Sequence, residues 1–170
     1  MTTMQVELLP MTGRDDGLLR NLYQLYLYDF SEFMGWDVDA QGRFDESDLR
    51  GCWDDPRRHQ YLIRADGRLA GFVMIDEVDH SILTGERDVI LMREFFVLRA
   101  YRRHGVGRIA ARRAFELFPG RWEVFQLREN VVAQAFWRKV IGAYTAGRYV
   151  EATCGEPGWR GVMQTFDNRW

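Results

Sequence analysis

Ile90-Leu-Met-Arg-Glu-Phe-Phe-Val-Leu98, followed by Arg99-Ala-Tyr-Arg-Arg-His-Gly-Val-Gly-Arg108, is the stretch on which the reading of this chain turns. The first run is apolar and aromatic, and its length suits a strand; from Val106 to Phe118 apolar residues recur at helical spacing. Between the two lies Arg102-Arg103-His104-Gly105-Val106-Gly107. Its glycines allow a tight turn and a close approach of backbone to ligand, and the first turn of the helix behind it offers unpaired N–H groups at the positive end of a dipole. Strand, glycine turn and helix in that order make an anion site of a size for a diphosphate. Taken alone, Arg-x-x-Gly-x-Gly is equally an ordinary turn before a helix.

The flanks decide between these readings. Residues 99–113 hold six arginines (Arg99, Arg102, Arg103, Arg108, Arg112 and Arg113) and no acid. A solvated helix face normally mixes charge signs, so this one points to a polyanionic partner.

A second block, Asn130-Val-Val-Ala-Gln-Ala-Phe136-Trp137-Arg-Lys139, follows a strand-like Trp122 to Leu127. The two blocks in this order, one helix and one strand apart, resemble the Gcn5-related N-acetyltransferases, whose corresponding blocks read Gln/Arg-x-x-Gly-x-Gly/Ala and Asn-x-x-Ala-x-x-Phe-Tyr-x-Lys. The resemblance can be extended over nearly the whole chain. It implies the α/β (α+β) acyl-coenzyme A N-acyltransferase fold, with a mixed central sheet of about six to seven strands flanked by about four helices. It further implies that the strands carrying Ile90–Leu98 and Trp122–Leu127 splay apart around the pantetheine arm of acetyl-coenzyme A.

Working outward, Gln5–Leu9 reads as a first strand. Arg14–Tyr28 reads as an amphipathic helix with Leu18, Leu22, Leu25 and Tyr26 inward, and Asp45–Trp53 as a second, shorter one. Asp66-Gly67 is a hairpin signal between strands at Gln60–Arg64 and Arg68–Asp76. In the arginine helix, Val106, Ala110, Ala114 and Leu117 can face a sheet, and Pro119-Gly120 stops it. A helix from Asn130 to about Val140 precedes strands at about Ala143–Ala152 and Trp159–Phe166. With 170 residues, 46 % of them hydrophobic, and no repeat or linker, a single domain over 1–170 is expected. The two cysteines, Cys52 and Cys154, are far apart and suggest neither a disulfide framework nor a metal site. The sequence shows neither an export signal nor an apolar run of about 20 residues, so the expectation is a reduced, cytoplasmic protein without a membrane span. A net charge of −2 argues against general nucleic-acid binding. The serines lack a Gly-x-Ser-x-Gly setting, which sets a serine hydrolase aside.

If the resemblance holds, backbone N–H groups from Arg103, His104, Gly105, Val106, Gly107 and Arg108, helped by the charge of Arg102, receive the diphosphate, and backbone groups of Phe96, Val97 and Leu98 receive the pantetheine amide and the thioester carbonyl. Asn130 and Phe136 belong to the block that meets the pantetheine arm in relatives, although Asn130 is equally an N-cap and Phe136 reads rather as core packing. Glu94, an acid within an apolar strand, is the candidate base for the amine; strict alternation sets it on one face with Met92 and Phe96, opposite Phe95 and Val97. The alternative is a carboxylate paired at the sheet surface. Where the family has its acidic Tyr this chain has Trp137, whose indole supplies no proton readily; Tyr144 or Tyr149, water, or unaided departure of the thiolate would then serve. Residues 29–55 carry nine acids against two arginines, with Phe30, Phe33 and Trp36 among them. They suggest a cationic small-molecule amine as acceptor, held by carboxylates and aromatic faces, or else an ordinary acidic loop. Glu156-Pro157-Gly158-Trp159 would be the opposite wall. Two other readings stay open: a module that senses acetyl-coenzyme A without turnover, and an enzyme acting on protein or peptide amines. Homodimers are common in the family.

Overall fold

Asp66 and Gly67 both hold positive φ (49° and 73°), the geometry that closes a two-residue hairpin with the right twist. They join β2 (Arg58–Ala65) to β3 (Arg68–His80) in a computed structural model that describes residues 4–156 and 159–170. β1 (Val6–Pro10) pairs antiparallel with β2, and β4 (Arg87–Val97) antiparallel with β3. The chain then crosses through α2 (Val106–Leu117) and returns as β5 (Arg121–Leu127), parallel to β4, as a helical crossover requires. After α3 (Val131–Thr145) come β6 (Val150–Glu156) and β7 (Trp159–Asp167), with β7 inserted between β5 and β6. The seven strands lie in the order β1-β2-β3-β4-β5-β7-β6, a mixed sheet as expected.

The two faces of this sheet are covered by different helices. α1 (Asp16–Met34) buries Leu19, Leu22, Tyr23, Tyr26 and Leu27 against Phe72, Met74 and Phe96. On the opposite face, Val106, Ala110, Ala111, Ala114 and Phe115 of α2 and Trp137, Val140 and Ile141 of α3 pack on Val73, Ile75, Met92, Trp122 and Val124. Three alanines let α2 approach the strands closely. Phe115 then reaches the rings of Trp122 and Phe166, each centred 4.9 Å away. A polar chain ties the far side together: Gln126 of β5 donates to Gln164 of β7, Gln164 donates to Glu151 of β6, and Arg138 of α3 donates to both oxygens of Glu151.

Several expected boundaries moved. α1 runs six residues past Tyr28 to Met34, where Gly35 turns left-handed, and its inner face holds Leu19 and Tyr23 while Leu25 is 50 % exposed. Leu117 is likewise 50 % exposed; Ala111 and Phe115 take the inner face of α2 instead. α3 continues to Thr145 and takes the first residues assigned to the next strand, which starts at Val150 after left-handed Ala146 and Gly147. The helix expected over Asp45–Trp53 is only a single tight turn at Ser47–Leu49, leaving three α-helices among the described residues. Acids in and just before this segment bind backbone locally, Asp45 accepting from the Ser47 N–H and Asp39 from those of Gln41 and Arg43. The carbonyls of Asp48 and Arg50 accept from Arg58, and that of Asp48 also from Arg93. No helix among the described residues is long and apolar enough to cross a membrane, and Cys52 and Cys154 are not joined to each other.

Candidate active site

β4 and β5 pair over only four positions, from Val89 with Arg121 to Met92 with Val124. Beyond them β4 stays bonded to β3 and β5 to β7, but not to each other. A cleft of about 660 Å³ opens there, walled by α1, the end of β4, the glycine turn and α3. The splay expected from the resemblance is thus present in the register.

The glycine turn stands at one end of this cleft. Arg103 and Gly105 both hold positive φ (65° and 83°), which turns the chain into α2, and the N–H groups of Val106, Gly107 and Arg108 have no carbonyl behind them within the helix. Gly107 fulfils a second demand: a Cβ there would stand 3.2 Å from the ring of Phe136, so its smallness lets α2 and α3 meet. Of the arginines, Arg99 and Arg102 are both bound to Asp29 of α1, at 2.6 Å for Arg99. Arg102 also donates to the Val97 carbonyl at 2.7 Å and lies over the Phe96 ring. Arg112 pairs with Glu116. Arg103, Arg108 and Arg113 form no ion pair among the described residues and are the exposed positive charge of the turn and helix.

Main-chain directions alternate along β4, which separates the three residues expected to meet a thioester. The Leu98 N–H donates to the Ala70 carbonyl at 2.8 Å, toward β3. Val97 therefore turns its N–H to the gap, and Leu98 does not. Phe96 contributes its ring, and Val106 is fully buried with only its N–H available to the turn. His104 is exposed and outside the cleft wall. Asn130 does two things: it lines the cleft and its side chain accepts from the Ala133 N–H at 3.1 Å as the cap of α3. Phe136 also lines the cleft, stacked on Phe95.

Glu94 shares a face with Phe96, opposite Phe95 and Val97, as alternation has it, but Met92 does not. Met74 pairs with Glu94 and Ile75 with Met92, so Arg93 is an extra residue in β4. Because of that bulge Met92 lies with Ile90 in the cluster under α2 and α3, while Glu94 and Phe96 face α1. There the hydroxyl of Tyr26 donates to Glu94 Oε2. Burial pushes the Glu94 carboxyl up to about 8; the Tyr26 hydrogen bond opposes this, and the charges of Asp48 and Asp76 add to it. The same burial, with Glu94 beside it, raises Tyr26 well above an ordinary phenol. Tyr26 lines the cleft and had read only as an apolar helix position. Its signal was available: a tyrosine on a buried helix face needs a polar partner, as does an acid in an apolar strand.

Tyr144 is a correction. It packs among Phe115, Phe166 and Trp170, with Asn168 donating to its hydroxyl, away from the cleft. Tyr149 is also absent from the wall, whereas Trp137 is part of it, edge-on to Phe95 at 5.0 Å. On α1, Phe30 and Phe33 line the cleft beside Asp29 and Glu32; Trp36 stacks on Phe30 but stands behind the wall. Most of the acidic segment is already engaged. Glu46 is bound to Arg20 and Arg43, and Asp55 to Arg57. Glu32 forms no ion pair among the described residues and lines the cleft, so it is the available carboxylate. The expected opposite wall at residues 156–159 lies partly outside the described residues. Among those residues no group of three or more His, Cys, Asp or Glu could hold a metal.

A family model described as the acetyltransferase (GNAT) family matches residues 19–143, from α1 through α3. The chain belongs to this family. Solved acetyltransferase structures share its fold. An acetyltransferase from Thermus thermophilus superposes with a TM-score of 0.70 at 18 % identity, covering 98 % of this chain and 99 % of that one. The aminoglycoside acetyltransferase AAC(6')-Ib, solved with coenzyme A, gives 0.68 at 16 % identity over 97 % and 96 %. The ribosomal-protein-S18-alanine N-acetyltransferase of Escherichia coli gives 0.62 at 13 % over 96 % and 94 %. At these identities the likeness is one of fold. No protein with a curated description is similar enough in sequence to count as a match.

Proposed function

We propose that this GNAT domain, spanning 1–170 and working in a reduced, cytoplasmic setting, moves the acetyl group of acetyl-coenzyme A to a primary amine of a cationic small molecule. The observation that carries the reading is the gap between β4 and β5 with a glycine turn and a helix N-terminus at its end. The turn supplies N–H groups and the charges of Arg103 and Arg108 for a diphosphate. Arg102, held by Asp29 and Val97, shapes the turn more than it offers free charge. The Val97 N–H, facing the gap, is the donor for the thioester carbonyl as it becomes an oxyanion.

An alkylamine with a pKa near ~10 arrives protonated and must lose that proton before it can attack. Glu94 is the base, and its raised pKa suits an acceptor of a proton near neutral pH. The amine lies against Phe30 and Phe33, with Glu32 for a further positive group of the acceptor. Attack on the thioester carbon gives a tetrahedral intermediate, whose collapse forms the amide and releases the thiolate. The tested outcome is calorimetric: acetyl-coenzyme A binds in the micromolar range and binds more weakly as salt rises, and an amine screen read by thiol release then finds the acceptor. Absence of binding at millimolar acetyl-coenzyme A would refute the reading.

One observation favours a second reading. Trp137 fills the place of the family's acidic tyrosine and is buried among Phe95, Phe115 and Phe136. A domain that binds acetyl-coenzyme A as a sensor would bind it in the calorimeter and release no thiol with any small-molecule or peptide amine.

A further inference from the structure

The wall of the cleft carries Tyr26 and not Glu94. The Tyr26 hydroxyl donates to Glu94 Oε2. We propose that Tyr26 is the proton carrier of the reaction, standing between the acceptor amine and Glu94 and later between Glu94 and the departing thiolate. This rests on the acetyl-transfer reading above and supplies the acid that Trp137 cannot be.

The position of Tyr26 is fixed. Its ring lies 5.0 Å from that of Phe30, 5.4 Å from Tyr23, 5.8 Å from Phe72 and 5.9 Å from Phe96. The polar end of this aromatic group is turned to β4, beside the gap in which a thioester would lie. Phe30 is both its ring neighbour and a cleft residue, so an amine seated on Phe30 is next to Tyr26.

The ammonium proton leaves first, to bulk water, so that one proton is released per turnover, and the remaining protons balance within the site. As the amine nitrogen bonds to the thioester carbon, its N–H proton passes to Tyr26 Oη while the Tyr26 proton passes to Glu94 Oε2. When the carbon–sulfur bond breaks, the sulfur takes its electron pair and receives the Tyr26 proton, and Glu94 returns its proton to Tyr26. Amide and free thiol leave, and both side chains are reset. The groups facing the pair are Tyr23 from α1, Asp48 from the loop before β2, and Asp76 from β3, with Arg58 of β2 near Tyr23. The acids favour a proton staying on the Tyr26–Glu94 unit, so the two groups titrate as a pair.

Two conservative variants test this. Tyr26→Phe keeps the ring packing and removes the carrier, and Glu94→Gln keeps the shape and removes the acceptor. With the amine found by the screen, kcat falls about 100-fold or more in each, as loss of general acid–base catalysis does. The double variant falls no further than either single one, and the acid limb of the pH profile is lost in all three. Losses that multiply, or a Tyr26→Phe enzyme that keeps its limb and most of its kcat, would overturn the proposal and leave Tyr26 a packing residue. Carboxyl 13C NMR of the unliganded protein gives a readout without turnover. Glu94 titrates at higher pH in Tyr26→Phe, by about one unit, because a donor to its charged form is gone; an unmoved titration would also overturn the proposal. If acetyl-coenzyme A does not bind, the transfer reading and the carrier role fall together, and the NMR result separates that failure from a wrong Tyr26–Glu94 pairing.

Discussion

Gly71→Ala tests the architecture of the site at its least tolerant point. A Cβ on Gly71 of β3 would stand 1.9 Å from the carbonyl oxygen of Phe96 and 3.0 Å from the Val97 Cα. Both contacts are to backbone, and the first is more than an ångström inside the closest approach that Cβ atoms make. Neither strand can yield freely, because β3 is bonded on both sides and the end of β4 is held by β3 and by Arg102. Overpacking of this kind costs about 3 kcal/mol against a total stability of roughly 5–15 kcal/mol. For a domain of this size each kcal/mol moves Tm by about 2–4 °C, so a fall of roughly 6–12 °C is expected by calorimetry. The segment displaced is the one bordering the gap, so acetyl-coenzyme A binding should weaken together with stability. A Tm within 2 °C of the parent would refute the close approach of β3 to β4.

Other outcomes follow from the same geometry. Arg108→Ala removes an unpaired charge at the turn, and titration with acetyl-coenzyme A should show about five- to tenfold weaker binding with a shallower salt dependence; unchanged affinity would detach that arginine from the diphosphate. Asp29 has its carboxyl held below the ordinary range: burial opposes this, but hydrogen bonds from Arg102 and Arg99 outweigh it. Its contribution is therefore present above the unfolded value near 3.8 and disappears as pH falls through the folded one. Asp29→Asn should melt a few degrees below the parent at pH 7, with the two curves converging as acid protonates the Asp29 carboxylate; a constant gap would point to packing instead. Gln164→Leu breaks the chain from Gln126 to Glu151 and Arg138, and should cost about 2 kcal/mol in urea unfolding without changing cofactor affinity.

Most of the topology was legible because it was written in local chemistry. Asp66-Gly67 named its own hairpin, the alanines of α2 marked the face that meets the sheet, and the glycine turn fell where strand gives way to helix. What was not legible depends on contacts between distant segments. The bulge at Arg93 leaves no mark in the alternation of Ile90–Leu98, and only the register against Met74 and Ile75 reveals that Met92 and Glu94 lie on opposite faces. The six arginines could be counted, but not that two of them are occupied by Asp29, some seventy residues earlier. The acidic segment of residues 29–55 read as a field of charge; folded, its acids mostly bind neighbouring N–H groups and arginines. The reading of Tyr144 as an acid failed for want of the three-dimensional address that Tyr26 has.

The four-position pairing of β4 with β5 has an aggregation aspect too. Past Met92, β4 is no longer paired with β5, and a strand border of this kind recruits other chains when it lies at the rim of a sheet. Here that border is folded inward, fenced by α1, α3 and the glycine turn. The domain thus keeps hydrogen-bonding capacity in reserve for a small molecule at a place where the same capacity does not invite fibrils.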